Sequence, residues 1–318
     1  MNALSVSWSV TGHAALAGVE DEVRRRKQSL LAILSEGLPT LPSHLFQLNQ
    51  ILASSPVDLK EVSALIRSDP SLTAQLLRLC NSALFGLRRR VTRVEEAAIL
   101  LGTERLRNLV FACYLIQISC AKLSEEDARP FWTHAVMTAM LSERLSRPLK
   151  SEDADQAYLG GLLHDMGKLP LLMVAAEENS PVPVWLKGDG EDSLNLEREY
   201  FGLDHCEVGR WLGINWNFVT PLVEVLDSHH RPDQAHFTPL LAGTVAVADH
   251  FCERIESGAS LDEASGDDFY DLCLPGLSES GRGILLGILR HEYPLMQRML
   301  ETEPPTVGAN RSGRNQQP

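Results

Sequence analysis

The chain has 318 residues, 44% of them apolar, and it carries 29 Lys plus Arg against 42 Asp plus Glu, a net charge of -13. That is enough chain and enough apolar surface for one large domain or two modest ones. So acidic a chain argues against nucleic acid as a partner, because sequence-independent binding works by neutralising phosphates. The one compact basic cluster, Arg88-Arg89-Arg90, reads as a solvated loop or helix end.

Residues 1 to about 18 read as a poorly ordered N-terminus with no secretory-signal pattern. The stretch EDEVRRRKQSLLAILSEG then predicts a helix stopped at Gly37. In SDPSLTAQLLRLCNSALFG, Asp69 is the expected N-cap and Pro70 the first helical residue. VEEAAILLGTERLRNLVFACYLIQ predicts two helices meeting near Gly102 and Thr103. A polar, proline-bearing segment at 120–128 marks a subdomain boundary, dividing 19–122 from 123–302. Beyond it SEEDARPFWTHAVMTAMLSERLS predicts a helix capped by Ser124. ENSPVPVWLKGDGEDSLN reads as a surface loop, and 303–318 as a disordered, Pro/Gly/Asn-rich tail. No segment sustains the period-two alternation of a half-buried strand, so the expected fold class is all-α. No run approaches the ~18 apolar residues of a membrane span.

The six cysteines (Cys80, Cys113, Cys120, Cys206, Cys252 and Cys273) form no CxxC pair. They read as reduced, mostly buried thiols of a cytoplasmic protein. Eight of the ten histidines lie behind the boundary. His134 sits in FWTHAVMTA, and His164 and Asp165 in GGLLHDMGKL. His205 follows Asp204, a predicted N-cap; His229 and His230 end PLVEVLDSHH; Asp249 lies in GTVAVADHF. Polar groups in such apolar helices need partners. Imidazoles and carboxylates projecting from facing helices are what metal centres in helical proteins are built from. The alternative for each residue is a hydrogen-bonded core position or a helix terminus, and His13, His44, His236, His250 and His291 are assigned to such ordinary roles. Neighbouring ligands on a helix point about 100° apart, so one ion can take both His164 and Asp165, and Asp165 is the natural bridge between two ions. Lys168 lies one turn beyond His164 and could receive a phosphate oxygen. Gly160 and Gly161 permit close approach of another helix or a substrate.

The order His134, His164-Asp165, Asp249 resembles the H…HD…D pattern of HD-domain phosphohydrolases. The first half, through Asp69-Pro70, Asn81-Ser82, Phe85-Gly86 and Leu101-Gly102, resembles the HDOD domain of bacterial signalling proteins, from about Leu38 to about Asp249. The resemblance implies an N-terminal helical bundle packed on an HD-like one. It implies a bacterial signal-transduction module acting through a protein partner, linked to cyclic-di-GMP signalling or motility. It also implies a centre for one or two divalent ions (Fe, Mn or Zn). His134, His164, Asp165 and Asp249 would hold the first ion and His205, His229 and His230 the second. The alternative is a metal-dependent phosphohydrolase acting on a nucleotide or cyclic dinucleotide, with Lys168 on the phosphate. His205 and His229-His230 resemble the extra ligands of HD-GYP phosphodiesterases. The sequence departs from that branch at Arg231-Pro232-Asp233, where no GYP segment follows, and at Pro130, where some members place a glutamate.

Overall fold

The computed structural model describes residues 10–37, 58–81, 90–102, 125–149, 154–178, 191–216, 218–260 and 269–301, with isolated positions at 51, 106, 109–110 and 113–114. Among these there is no strand, so the fold is all-α, as the patterning requires.

Helix α1 (Val10–Ala32) starts inside the segment expected to lack order and runs through a π turn, Ile33–Gly37, to the predicted stop. Helix α2 (Leu59–Arg67) is capped by Asp58, whose carboxylate accepts from the Lys60 N–H at 2.8 Å. Helix α3 (Pro70–Cys80) starts at Pro70, and the Asp69 side chain accepts from the Leu72 N–H at 3.0 Å, as expected of that cap. Asn81 closes α3 by donating to the Val91 carbonyl and accepting its N–H, both at 2.6 Å. A further helix over 94–102 ends at Gly102, which adopts φ 78°, a left-handed conformation that suits glycine. Thr103, Cys120, Ser124, Ser82 and the Phe85-Gly86 pair lie outside the described residues, as does the tail.

The second half is built around α4 (Glu125–Leu149), α5 (Ala154–Leu163), α6 (Lys168–Glu177), α7 (Glu191–Phe201), α8 (His205–Asn215), α9 (Thr220–Ser228) and α10 (Pro239–Glu256). A short α11 (Phe269–Cys273) and a long α12 (Glu279–Glu301) follow. The sequence assigned 191–195 to a loop; these residues instead form the first turns of α7, because Leu194 is buried and Ser193 with it. Helices α5 and α6 are apolar all round, and the residues from Ala157 to Ala175 are buried without a break. A helix with no polar face belongs in the middle of a molecule, and this pair is its axis. His164, Asp165 and Lys168 sit in and just after the turn that joins them.

The glycines explain how closely the helices pack. A Cβ on Gly161 would lie 2.7 Å from the Thr138 carbonyl oxygen and 2.8 Å from the Ala139 Cα, so α4 can cross α5 here only over glycine. The expected close approach is therefore that of a helix. One apolar core runs from Leu30, Ile66, Leu72 and Leu76 in the first half to Leu162, Phe201, Val208 and Leu226 in the second. A second core joins Met137, Leu141 and Leu145 of α4 to Phe251 of α10 and to Leu285 and Leu289 of α12. Helix α1 is fastened to the second half at its polar edge. Arg26 Nε donates to Glu178 at 2.9 Å with its guanidinium 3.7 Å from the centre of the Tyr200 ring, Tyr200 donates to the same carboxylate at 2.9 Å, and Lys27 Nζ donates to the Gly202 carbonyl at 3.2 Å.

Candidate metal centre

Five segments converge on one point. Helix α4 supplies His134 and the α5–α6 turn supplies His164 and Asp165. The first turn of α8 supplies His205, the end of α9 supplies His229 and His230, and α10 supplies Asp249. The approach of α8 depends on Gly167, because a Cβ there would fall on the His205 carbonyl oxygen. Helix α8 is started by Asp204, in a capping box with Glu207, as expected for that N-cap.

The imidazoles share one orientation. His164 Nδ1 donates to the Gly161 carbonyl at 2.8 Å and His229 Nδ1 to the Val225 carbonyl at 3.0 Å. His205 Nδ1 faces both oxygens of Glu197, at 2.8 and 3.0 Å, and His134 Nδ1 faces Glu256 at 3.2 Å. A carbonyl or carboxylate at Nδ1 fixes the proton on that nitrogen and turns the Nε2 lone pair inward. The four Nε2 atoms accordingly meet in two pairs. His134 and His164 approach to 3.3 Å, and His205 and His229 to 3.2 Å, with His230 Nε2 3.1 Å from His205.

The two carboxylates sit between them. Asp249 Oδ1 is 2.9 Å from His134 Nε2 and 3.4 Å from His164 Nε2. Asp165 Oδ2 takes the Lys168 ammonium at 2.8 Å and is 3.6 Å from His164 Nε2; its Oδ1 is 3.3 Å from His205 and 3.7 Å from His229. Asp165 thus lies between the two histidine sets. Oδ1 of Asp165 and Oδ1 of Asp249 are buried and accept no well-formed hydrogen bond despite these short separations. Buried acceptors left facing inward lone pairs call for a cation.

The electrostatics keep both carboxylates ionised. Burial pushes the Asp165 carboxyl up, but Lys168, His164 and His205 outweigh it and hold it well below the usual range. Burial likewise opposes charge on Asp249, where His164 and His134 prevail and hold it low. Burial pushes His134 down, yet Glu256 and Asp249 bring it well above the ordinary imidazole value. His205 is pushed down by burial and raised well above its ordinary value by Glu197 and its neighbours. His229 goes the other way, to about 3, through burial and the adjacent His230. Two buried carboxylates are therefore held ionised, and the positive charge that faces them comes from Lys168 and the imidazoles, a role a divalent ion would take over on displacing the imidazole protons. The donor set of imidazole nitrogens and carboxylate oxygens, converging with orphaned acceptors, suits one or two divalent ions, and the His/Asp cluster can hold metal.

All of the predicted site residues come together here. Sequence reasoning missed the carboxylates behind them. Glu256 lies seven residues after Asp249, hence on the same helix face, and Glu197 is wholly buried eight residues before His205. It also missed Cys206, whose sulfur falls with His205, His229 and His230 in a set of candidate ligand atoms all within 4.8 Å of one another. Burial raises this thiol to about 11. Of the histidines assigned ordinary roles, His250 stacks on Phe269 at 4.2 Å between centroids, and the backbone N–H of His236 donates to Glu224. The five described cysteines are buried and form no disulfide, and no described helix is long and apolar enough to cross a membrane.

The fold is all-helical, with the H…HD…D residues gathered at its centre. The HDOD domain model matches residues 38–232, so the chain belongs to the HDOD domain family. The match begins at the expected Leu38 and ends before Asp249. A crystal structure of a candidate phosphohydrolase from Shewanella amazonensis SB2B is 26% identical, with a TM-score of 0.67 over 86% of this chain and 97% of that one. An HDOD domain protein of unknown function from Geobacter sulfurreducens shares the fold at 22% identity and a TM-score of 0.66, over 88% of this chain and 98% of that one. An uncharacterized protein of Treponema pallidum (strain Nichols) is 27% identical over 248 residues, 71% of this chain. This chain spans 45% of that relative's length.

Proposed function

We propose that this protein is a regulatory module of bacterial signal transduction, working in the cytoplasm through contacts with a protein partner, and that its HD-like half is held in shape by a buried metal centre. The observation that carries this reading is burial. His164 and His205 have no exposed surface, Asp165, Asp249, Lys168 and His229 have at most 4%, His134 has 7%, and His230 at the edge of the set is half-buried. A catalytic ion keeps a position open to substrate; donors packed this deeply suit an ion that orders the fold. His134, His164, Asp165 and Asp249 would hold one ion and His205, His229 and His230 another. Buried thiols that form no disulfide among the described residues agree with a reducing compartment. Helix α8, which supplies His205, also carries Trp211 and Ile214 exposed to solvent one turn apart, apolar surface of the kind a protein partner covers.

A phosphohydrolase is the second reading, favoured by the bridging place of Asp165 and by the name of the Shewanella relative. A bound ion would supply hydroxide and polarise a phosphoryl oxygen. Lys168 would then have to turn from Asp165, which it faces at 2.8 Å, toward a phosphate. The test is to load the protein with Mn, Fe or Zn and offer it cyclic dinucleotides and a chromogenic phosphodiester. The regulatory reading expects no turnover above the chelated control. Metal-dependent hydrolysis that disappears in Asp165→Ala would replace it with the second reading.

A further inference from the structure

The histidine set at the start of α8 has a fourth donor of a different kind. His205 and Cys206 are the first two residues of α8. Both are buried, Cys206 to 6% exposure, and the sulfur lies within 4.8 Å of a ring nitrogen of His205, His229 and His230. A zinc ion with bonds of about 2.0–2.1 Å to nitrogen and about 2.3 Å to sulfur sets its tetrahedral ligands roughly 3.3–3.6 Å apart. The observed nitrogen separations of 3.2 and 3.1 Å fall just short of that edge, so a small outward shift of the rings admits the ion. The inward nitrogens of His205 and His229 belong to fully buried rings whose other nitrogens are committed to Glu197 and Val225. They point into the set independently of the cysteine. The opposite set, His134, His164, Asp165 and Asp249, contains no sulfur. Thiolate selects zinc over manganese or magnesium, whereas mixed imidazole and carboxylate discriminate less.

We infer that Cys206 completes a closed three-histidine, one-cysteine site with His205, His229 and His230 that selects zinc, so that the two halves of the centre differ in metal preference. Binding replaces the thiol S–H bond by a sulfur–zinc bond and releases one proton to solvent. The inference rests on the metal-centre reading above, and the experiment separates the two.

The test loads the full-length protein with cobalt(II), which reports sulfur ligation through a near-ultraviolet thiolate-to-cobalt charge-transfer absorption. Wild type should show that absorption, Cys206→Ser should lose it, and Cys80→Ser, altered at a buried thiol in α3, should keep it. Zinc affinity in Cys206→Ser should fall by at least about 100-fold, the upper end of what losing a mere orienting partner costs, while manganese affinity stays the same. X-ray absorption of the wild type loaded with one equivalent of zinc needs no variant and should show one sulfur neighbour at about 2.3 Å. Metal bound with nitrogen and oxygen neighbours alone, or a charge-transfer absorption that persists in Cys206→Ser, overturns the assignment of Cys206 and leaves the metal centre standing. Failure of the wild type to bind either metal overturns both.

Discussion

At the scale of residues, the centre combines groups that could not be buried one at a time. Asp165 and Lys168 face each other at 2.8 Å in the middle of the apolar axis. Removing one partner of a buried pair costs about 3–5 kcal/mol, because the other is left charged, whereas replacing both by apolar groups can be neutral. In metal-free protein, Asp165→Ala should therefore lower stability by about that amount, and Asp165→Ala/Lys168→Met should recover most of it. Urea unfolding in chelator measures both, and a double variant no more stable than the single one would contradict the pairing. His164, Asp165 and Asp249 stood out in the sequence because they interrupt apolar helices. Glu197 did not, because it lies in a polar helix, where a carboxylate raises no question until the fold places it beneath His205.

At the scale of elements, packing depends on backbone meeting backbone. At Gly167 the atoms in the way of a Cβ are the His205 carbonyl and, at 2.7 Å, the Gly209 nitrogen. Neither can move without shifting α8. Gly167→Ala should cost about 3 kcal/mol or more through overpacking and should weaken metal binding by displacing His205. Gly160→Ala meets the Val245 side chain at 3.2 Å. A methyl can give way, and helix propensity favours alanine by about 1 kcal/mol, so stability should change by less than that. Thermal unfolding and metal content of the two variants test the contrast; equal effects would contradict it. The glycine pair that suggested close approach from sequence alone thus has a helix as its neighbour. Gly167 gave no such sign, since a glycine just before a lysine reads as an ordinary turn.

The docking of α1 is also electrostatic. Burial raises the Glu178 carboxyl, but hydrogen bonds from Arg26 and Tyr200 outweigh it and hold it below its ordinary value. Its side chain is 19% exposed and that of Arg26 13%, so screening is partial. A carboxyl depressed on folding adds stability that is complete above its unfolded value, about pH 4.3, and is lost as pH falls through the folded value. Glu178→Gln should therefore be less stable than wild type near neutrality, and the gap should close on the acid side of about pH 4. Urea midpoints across that range decide it; a gap that stays constant would show that the charge is not what holds α1.

At the scale of the molecule, both halves share one core, so a change at α1 or in the first half reaches the α7 and α8 segments that hold Glu197 and His205. The fold class and the gathering of the seven site residues were legible in the sequence, through helical periodicity and costly polar residues. The start of α7 was not, because its polar composition resembles a loop until Leu194 is buried. The central claim is that these residues hold metal. The most direct measurement is elemental analysis of the protein purified without chelator or a histidine tag, beside His164→Ala and Asp165→Ala. The account predicts about one to two equivalents of a divalent metal in wild type, reduced in both variants. A folded wild type free of metal would contradict it and leave the cluster as a purely polar core.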